Sequence, residues 1–189
     1  MDEKQLIAQN TAEINRLENA VKHLNSSKTR AAGKAAAAQF HASYSQLFYP
    51  GCEERLKALR VCDEVAITTA LNFLEVDPYY FRSGYTKEYI WKYIARCSLA
   101  VQDINRLCAI ALRYLEQPVR RDFWYMCRAM THLASDDFWQ QVQARLSSGD
   151  PAMRTRASHL YAYAHGVEAG ERVRMQARHE SRHLNTDAD

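Results

Sequence analysis

Glycine and proline are scarce, six and four in 189 residues. That is too few for a collagen-like or linker-dominated architecture and ill suited to a turn-rich all-β fold. Charge of one sign is also nearly missing: 25 lysines and arginines face 22 acids, a formal net charge of +3. The small excess is spread out. Residues 1–49 carry 6 basic and 4 acidic side chains, 50–97 carry 7 of each, 98–149 carry 6 and 5, and 150–189 carry 6 of each. A nucleic-acid binder usually concentrates its basic residues, because several phosphates must be neutralised together. Any such face here has to be assembled by folding. No apolar run approaches the roughly 20 residues of a membrane span, and the opening MDEKQLIAQN lacks a signal-peptide core. The expectation is therefore no membrane and a cytoplasmic protein.

What is present is a 47% share of apolar residues, enough for a real hydrophobic core. Their spacing is helical almost throughout. Near the start, Ile7, Ile14 and Val21 recur every seventh residue, with Asn10, Leu17 and Leu24 three residues after each. These are the a and d positions of a short coiled-coil seam. The seam suits either self-association through residues 1–30 or an ordinary helix lying along the body of the protein. The Ala-rich stretch that follows, to Gln39, contains Gly33 and no large apolar residue, which predicts weak packing. From Cys52 to Val76 an apolar arc runs through Leu56, Leu59, Ala66, Ile67, Ala70, Phe73 and Leu74, with Asp63 near its middle and Arg60 one turn earlier as the expected ion-pair partner. Val101–Glu116 is apolar over more than half its circumference and is the expected spine of the core.

Five cysteines, Cys52, Cys62, Cys97, Cys108 and Cys127, include no C-x-x-C pair. With no export signal they are expected to be buried free thiols. No Gly-rich phosphate loop, G-x-S-x-G or metal-spaced Cys/His cluster occurs. The acid pairs Glu53-Glu54 and Asp136-Asp137 suit helix first turns, where they complement the dipole. One enzymatic pattern does occur. His179-Glu180-Ser181-Arg182-His183 matches the H-E-x-x-H of zinc hydrolases, in which two histidines a turn apart hold the metal. It lies in a polar segment with no further His or Glu after it, so a solvated tail over 171–189 is the expected reading and a zinc hydrolase a remote alternative.

The chain is punctuated at Pro50, Pro78, Pro118 and Pro151, at intervals about the length of a helix pair in helical repeats. Asp150-Pro151, then Arg154 and Ala157, resembles the turn within HEAT-type repeats; Asp77-Pro78 and Pro118-Val119-Arg120-Arg121 are weaker versions, so the resemblance spans about residues 78–168. It implies stacked helix pairs and, by analogy, a binding scaffold.

Two aromatic regions are candidates for recognition. On a helix, Tyr85, Tyr89 and Tyr93 form a stripe bordered by Lys92 and Arg96, at the boundary where a tyrosine buries its ring and keeps its hydroxyl wet. In an expected helix Val119–Ala134, Trp124 projects away from the apolar face of Phe123, Met126, Cys127, Met130 and Leu133. Arg120 and Arg128 lie one turn before and after it, with Arg121 nearby. Trp and Arg are the types that most often dominate interface energetics, and guanidinium planes over the indole would be held by cation–π attraction.

These features together predict an all-α protein, an irregular bundle or short HEAT-like array of helix pairs. The expected parts are a heptad helix and Ala-rich segment (1–49), a helical domain (50–170) and a charged tail (171–189). The expected function is that of a non-enzymatic scaffold that binds a protein partner, without metal or cofactor, through the Trp/Arg face and the tyrosine stripe. Nucleic-acid binding through the same residues is the alternative.

Overall fold

The computed structural model describes residues 2–25 and 30–166, and among these the fold is all-α, with no strand. Nine α-helices are present among the described residues: α1 (Glu3–Asn25), α2 (Arg30–Leu47), α3 (Cys52–Ala58), α4 (Glu64–Val76), α5 (Ser83–Ile94), α6 (Val101–Glu116), α7 (Phe123–Leu133), α8 (Asp136–Leu146) and α9 (Pro151–His165). A 3-10 turn, Leu59–Val61, joins α3 to the break before α4. None of these helices is long and apolar enough to cross a membrane. The chain divides into two compact units, Met1–Ser98 and Leu99–Asp189.

In the first unit α1 packs against α2 and α4. Ile7, Ile14 and Leu17 of the heptad seam are buried there. Of the two expected uses of the seam, lying along the body is the one Ile7, Ile14 and Leu17 take, while Asn10 and Val21 are half-buried; α1 and α2 belong to the unit that also holds α3–α5. From Arg30 on, the Ala-rich stretch is helical in α2, and its small side chains let that helix lie close to α1, with Gly33 and Phe40 buried. Polar links fix α1 on α4: the Glu3 carboxylate accepts from Thr69 Oγ1 at 2.8 Å and Asn72 Nδ2 at 2.6 Å, and Lys4 pairs with Glu75 at 2.6 Å.

The arc from Cys52 to Val76 is not one helix. Cys62 takes a left-handed conformation (φ 58°), and Asp63 then starts α4 as its N-cap, accepting the Ala66 amide at 2.9 Å. The carboxylate near the middle of the arc therefore satisfies first-turn amides and is exposed, and its expected pairing with Arg60 is not made. At the other end of α4, Asp77 is again left-handed and pairs with Lys87 of α5, whose side chain is 1% exposed. A second departure concerns the cysteines. Cys62 and Cys97, expected as free thiols, form a disulfide, while Cys52, Cys108 and Cys127 are free.

In the second unit α6 has the expected limits and is covered by α7, α8 and α9, with Leu107, Ile110, Ala111, Leu112, Tyr114 and Leu115 buried. Asp150 caps α9 by accepting the Ala152 amide at 2.8 Å, and Pro151 occupies the first turn, where a missing N–H costs nothing. Arg156 of α9 is nearly buried and donates through Nε to the Leu115 carbonyl at 2.6 Å, tying α9 to the last turn of α6. The acid pairs Glu53-Glu54 and Asp136-Asp137 sit in the first turns of α3 and α8.

Candidate interaction surfaces

In the first unit Tyr85, Tyr89 and Tyr93 all lie on α5. Tyr85 is exposed, while Tyr89 and Tyr93 are half-buried with their ring centroids 4.5 Å apart. Their companion is a residue that helical periodicity did not single out for this surface. Arg60, on the 3-10 turn, places its guanidinium carbon 5.4 Å from the Tyr89 centroid and 5.2 Å from that of Tyr93. Lys92 and Arg96 approach Tyr93 at 5.4 Å and 5.1 Å. Three cations thus share one ring, held by its negative face. Among the described residues no carboxylate pairs with any of them.

The Cys62–Cys97 disulfide explains how Arg60 gets there. Cys62 lies two residues after Arg60 and Cys97 follows Arg96, so the crosslink fastens together the two segments that supply the cations. The sequence held the signal, one cysteine next to an arginine and another two residues from one, but nothing in helical spacing pairs them. The Tyr89 hydroxyl is enclosed without a hydrogen-bond partner among the described residues, and an unsatisfied donor of this kind is costly.

In the second unit Trp124 is 44% exposed, as its placement opposite the apolar face of α7 predicts. Phe123, Met126, Cys127 and Met130 are buried behind it. The ring that meets the indole from another element is His159 of α9, edge-on at 5.4 Å, in the position expected of a guanidinium. Tyr163, one turn further along α9, is also exposed, as are Val119 and Arg128. The helix begins at Phe123, not at Val119, so Arg120 and Arg121 precede it. Just before it, Asp122 is fully buried and accepts from the Tyr114 hydroxyl, and the Phe123 amide closes a turn onto the Arg120 carbonyl at 3.1 Å.

Two of the three free thiols, Cys108 and Cys127, are held in the neutral form. Cys108 lies in a cavity of about 320 Å³ beside Asn105, Ser135, Asp137 and Gln141. Burial raises its pKa, against a smaller opposing effect of a backbone hydrogen bond at Ser135. Burial pushes the Cys127 thiol up to about 12. A thiol kept neutral is a poor nucleophile and metal ligand. Among the described residues no group of three His, Cys, Asp or Glu side chains could hold a metal ion. The His179–His183 motif and the tail over 171–189 lie outside the described residues. No protein-family model, curated protein or solved structure matches the chain.

Proposed function

We propose that the protein is a non-enzymatic helical interaction module that docks protein partners through two aromatic surfaces, one in each unit. The observation that carries this reading is Trp124. A tryptophan 44% exposed, met edge-on by His159 and with Arg128 one turn along its own helix, leaves a large apolar ring in water at a cost that packing could have removed. Such a ring is the residue type most often found at the energetic centre of an interface, surrounded by polar groups that keep water out once a partner is seated. The resemblance of Asp150-Pro151 and its neighbours to HEAT-type repeats supports the same reading by analogy.

The test compares the full chain with Trp124→Ala as bait in extracts of the native host, with captured proteins quantified by mass spectrometry. A partner specific to the wild type should fall at least tenfold, while the melting temperature moves by no more than about 2 °C because the ring is half in water. Unchanged capture with unchanged stability would overturn the role of Trp124.

A further inference from the structure

We propose that Arg60, Lys92 and Arg96, gathered on the Tyr89–Tyr93 pair, form a docking site for an acidic polypeptide segment. This inference gives the partner chemistry for the first unit's surface within the interaction-module reading, but it stands on different residues from the Trp124 edge. Its starting point is electrostatic. Three cations within 5.4 Å of one ring centroid repel each other, and the ring's quadrupole offsets only part of that. Several exposed cations of the same unit meet acids: Arg16 with Glu13 at 2.7 Å, Lys22 with Glu18 at 2.7 Å and Lys57 with Glu53 at 2.9 Å. The three at Tyr93 are gathered together with no such acid among the described residues.

A carboxylate is the group the site lacks. A guanidinium lying over a ring still has N–H donors along its edge, and two such groups with an ammonium on the same ring offer donors that the forked acceptors of Asp and Glu can take up. Charge complementarity thus names an anion, and the rings decide which kind. Base stacking needs an open aromatic face, yet Tyr93 already meets Tyr89 and three cations. The cations also converge on a single ring instead of following a phosphate backbone. Next to Arg60, Val61 is 80% exposed, an apolar neighbour suited to the aliphatic side chains interspersed in an acidic peptide. The disulfide holds the two arginine-bearing segments together before any ligand arrives, which lowers the ordering cost of binding.

Fluorescence anisotropy on the oxidised full chain would use three labelled probes at low salt. These are a 12-residue peptide rich in Glu and Asp with interspersed Leu, its Gln/Asn counterpart, and a single-stranded oligonucleotide of equal charge. The acidic peptide should bind at least tenfold more tightly than the other two and weaken as salt rises. Arg60→Gln with Arg96→Gln should lower its affinity at least tenfold, and Lys92→Gln, at an exposed position that leaves the Arg60 packing alone, at least threefold. Removing two charges elsewhere, Arg16→Gln with Lys34→Gln, should change it less than twofold. Equal losses in the two double variants would reduce the effect to general charge and overturn the site. Equal or tighter binding of the oligonucleotide through Arg60 and Arg96 would overturn the polypeptide assignment. Partner capture with Trp124→Ala is a separate measurement, so either surface can fail without the other.

Discussion

Each unit packs around one apolar helix, and the two differ in how much they add to that burial. The second unit surrounds α6 with α7, α8 and α9 and adds the bond from Arg156 to the Leu115 carbonyl. The first surrounds α4, with Ala66, Ile67, Ala70, Leu71, Phe73 and Leu74 buried, and adds more ties between residues far apart in the chain: Glu3 to Thr69 and Asn72, Lys4 to Glu75, and Cys62 to Cys97. Apolar burial tolerates small errors of placement, whereas hydrogen bonds, ion pairs and crosslinks fix a particular geometry. The difference teaches where a positioned surface can be held. The cation cluster sits on the tied unit, beside its crosslink. The Trp124 edge rides on the packed unit, where a broad exposed ring needs less exact positioning.

The sharpest way to break the contrast is to cut the crosslink. For cysteines separated by 35 residues, loop-closure entropy puts the loss at about 4 kcal/mol. Cys62→Ser, or reduction of the wild type, should lower the urea midpoint, and amide exchange should rise more in α3–α5 than in α6–α9. Equal change throughout would mean that the first unit does not depend on its ties in the way described. The next effect comes from the Lys87–Asp77 pair. Removing one partner of a buried ion pair leaves the other uncompensated, so Lys87→Met should cost about 3 kcal/mol. Adding Asp77→Asn should recover more than half, because the remaining carboxylate is neutralised and Asn accepts a left-handed backbone. If the double variant is no more stable than the single one, packing of the lysine stem and not the ion pair is what matters.

The same contrast explains what was legible in the sequence. Periodicity found α6 to the residue, placed Tyr85, Tyr89 and Tyr93 on one helix and put Trp124 on an exposed side, because each depends on spacing within a single element. It joined α3 to α4 across Cys62 and Asp63, because both flanks continue the same apolar arc and only a short 3-10 turn and a left-handed residue divide them. It assigned Arg60 to Asp63, three residues away, when the chain turns and carries that arginine to Tyr89 and Tyr93 instead. Ties over tens of residues leave no mark at a period of 3.6, so most of the first unit's fastening, and the cation cluster with it, had to be seen in three dimensions.

The smallest expected effect tests whether the charge on Asp150 adds to the second unit's polar tie from Arg156 to Leu115. Asp150 does two things: one carboxylate oxygen accepts the Ala152 amide at 2.8 Å, and the other lies 3.6 Å from the Arg156 guanidinium. Loss of an N-cap costs about 1 kcal/mol, while a half-exposed ion pair at that distance adds little. Asp150→Ala should therefore lower stability by about 1 kcal/mol in denaturant titrations. Asp150→Asn, which keeps the capping oxygen and drops the charge, should stay within about 0.3 kcal/mol of the wild type. Arg156 has its stronger bond to the Leu115 carbonyl, so it keeps an acceptor in both variants. If Asn costs as much as Ala, the charge on Asp150 holds Arg156 in place, and the second unit is tied in the manner of the first.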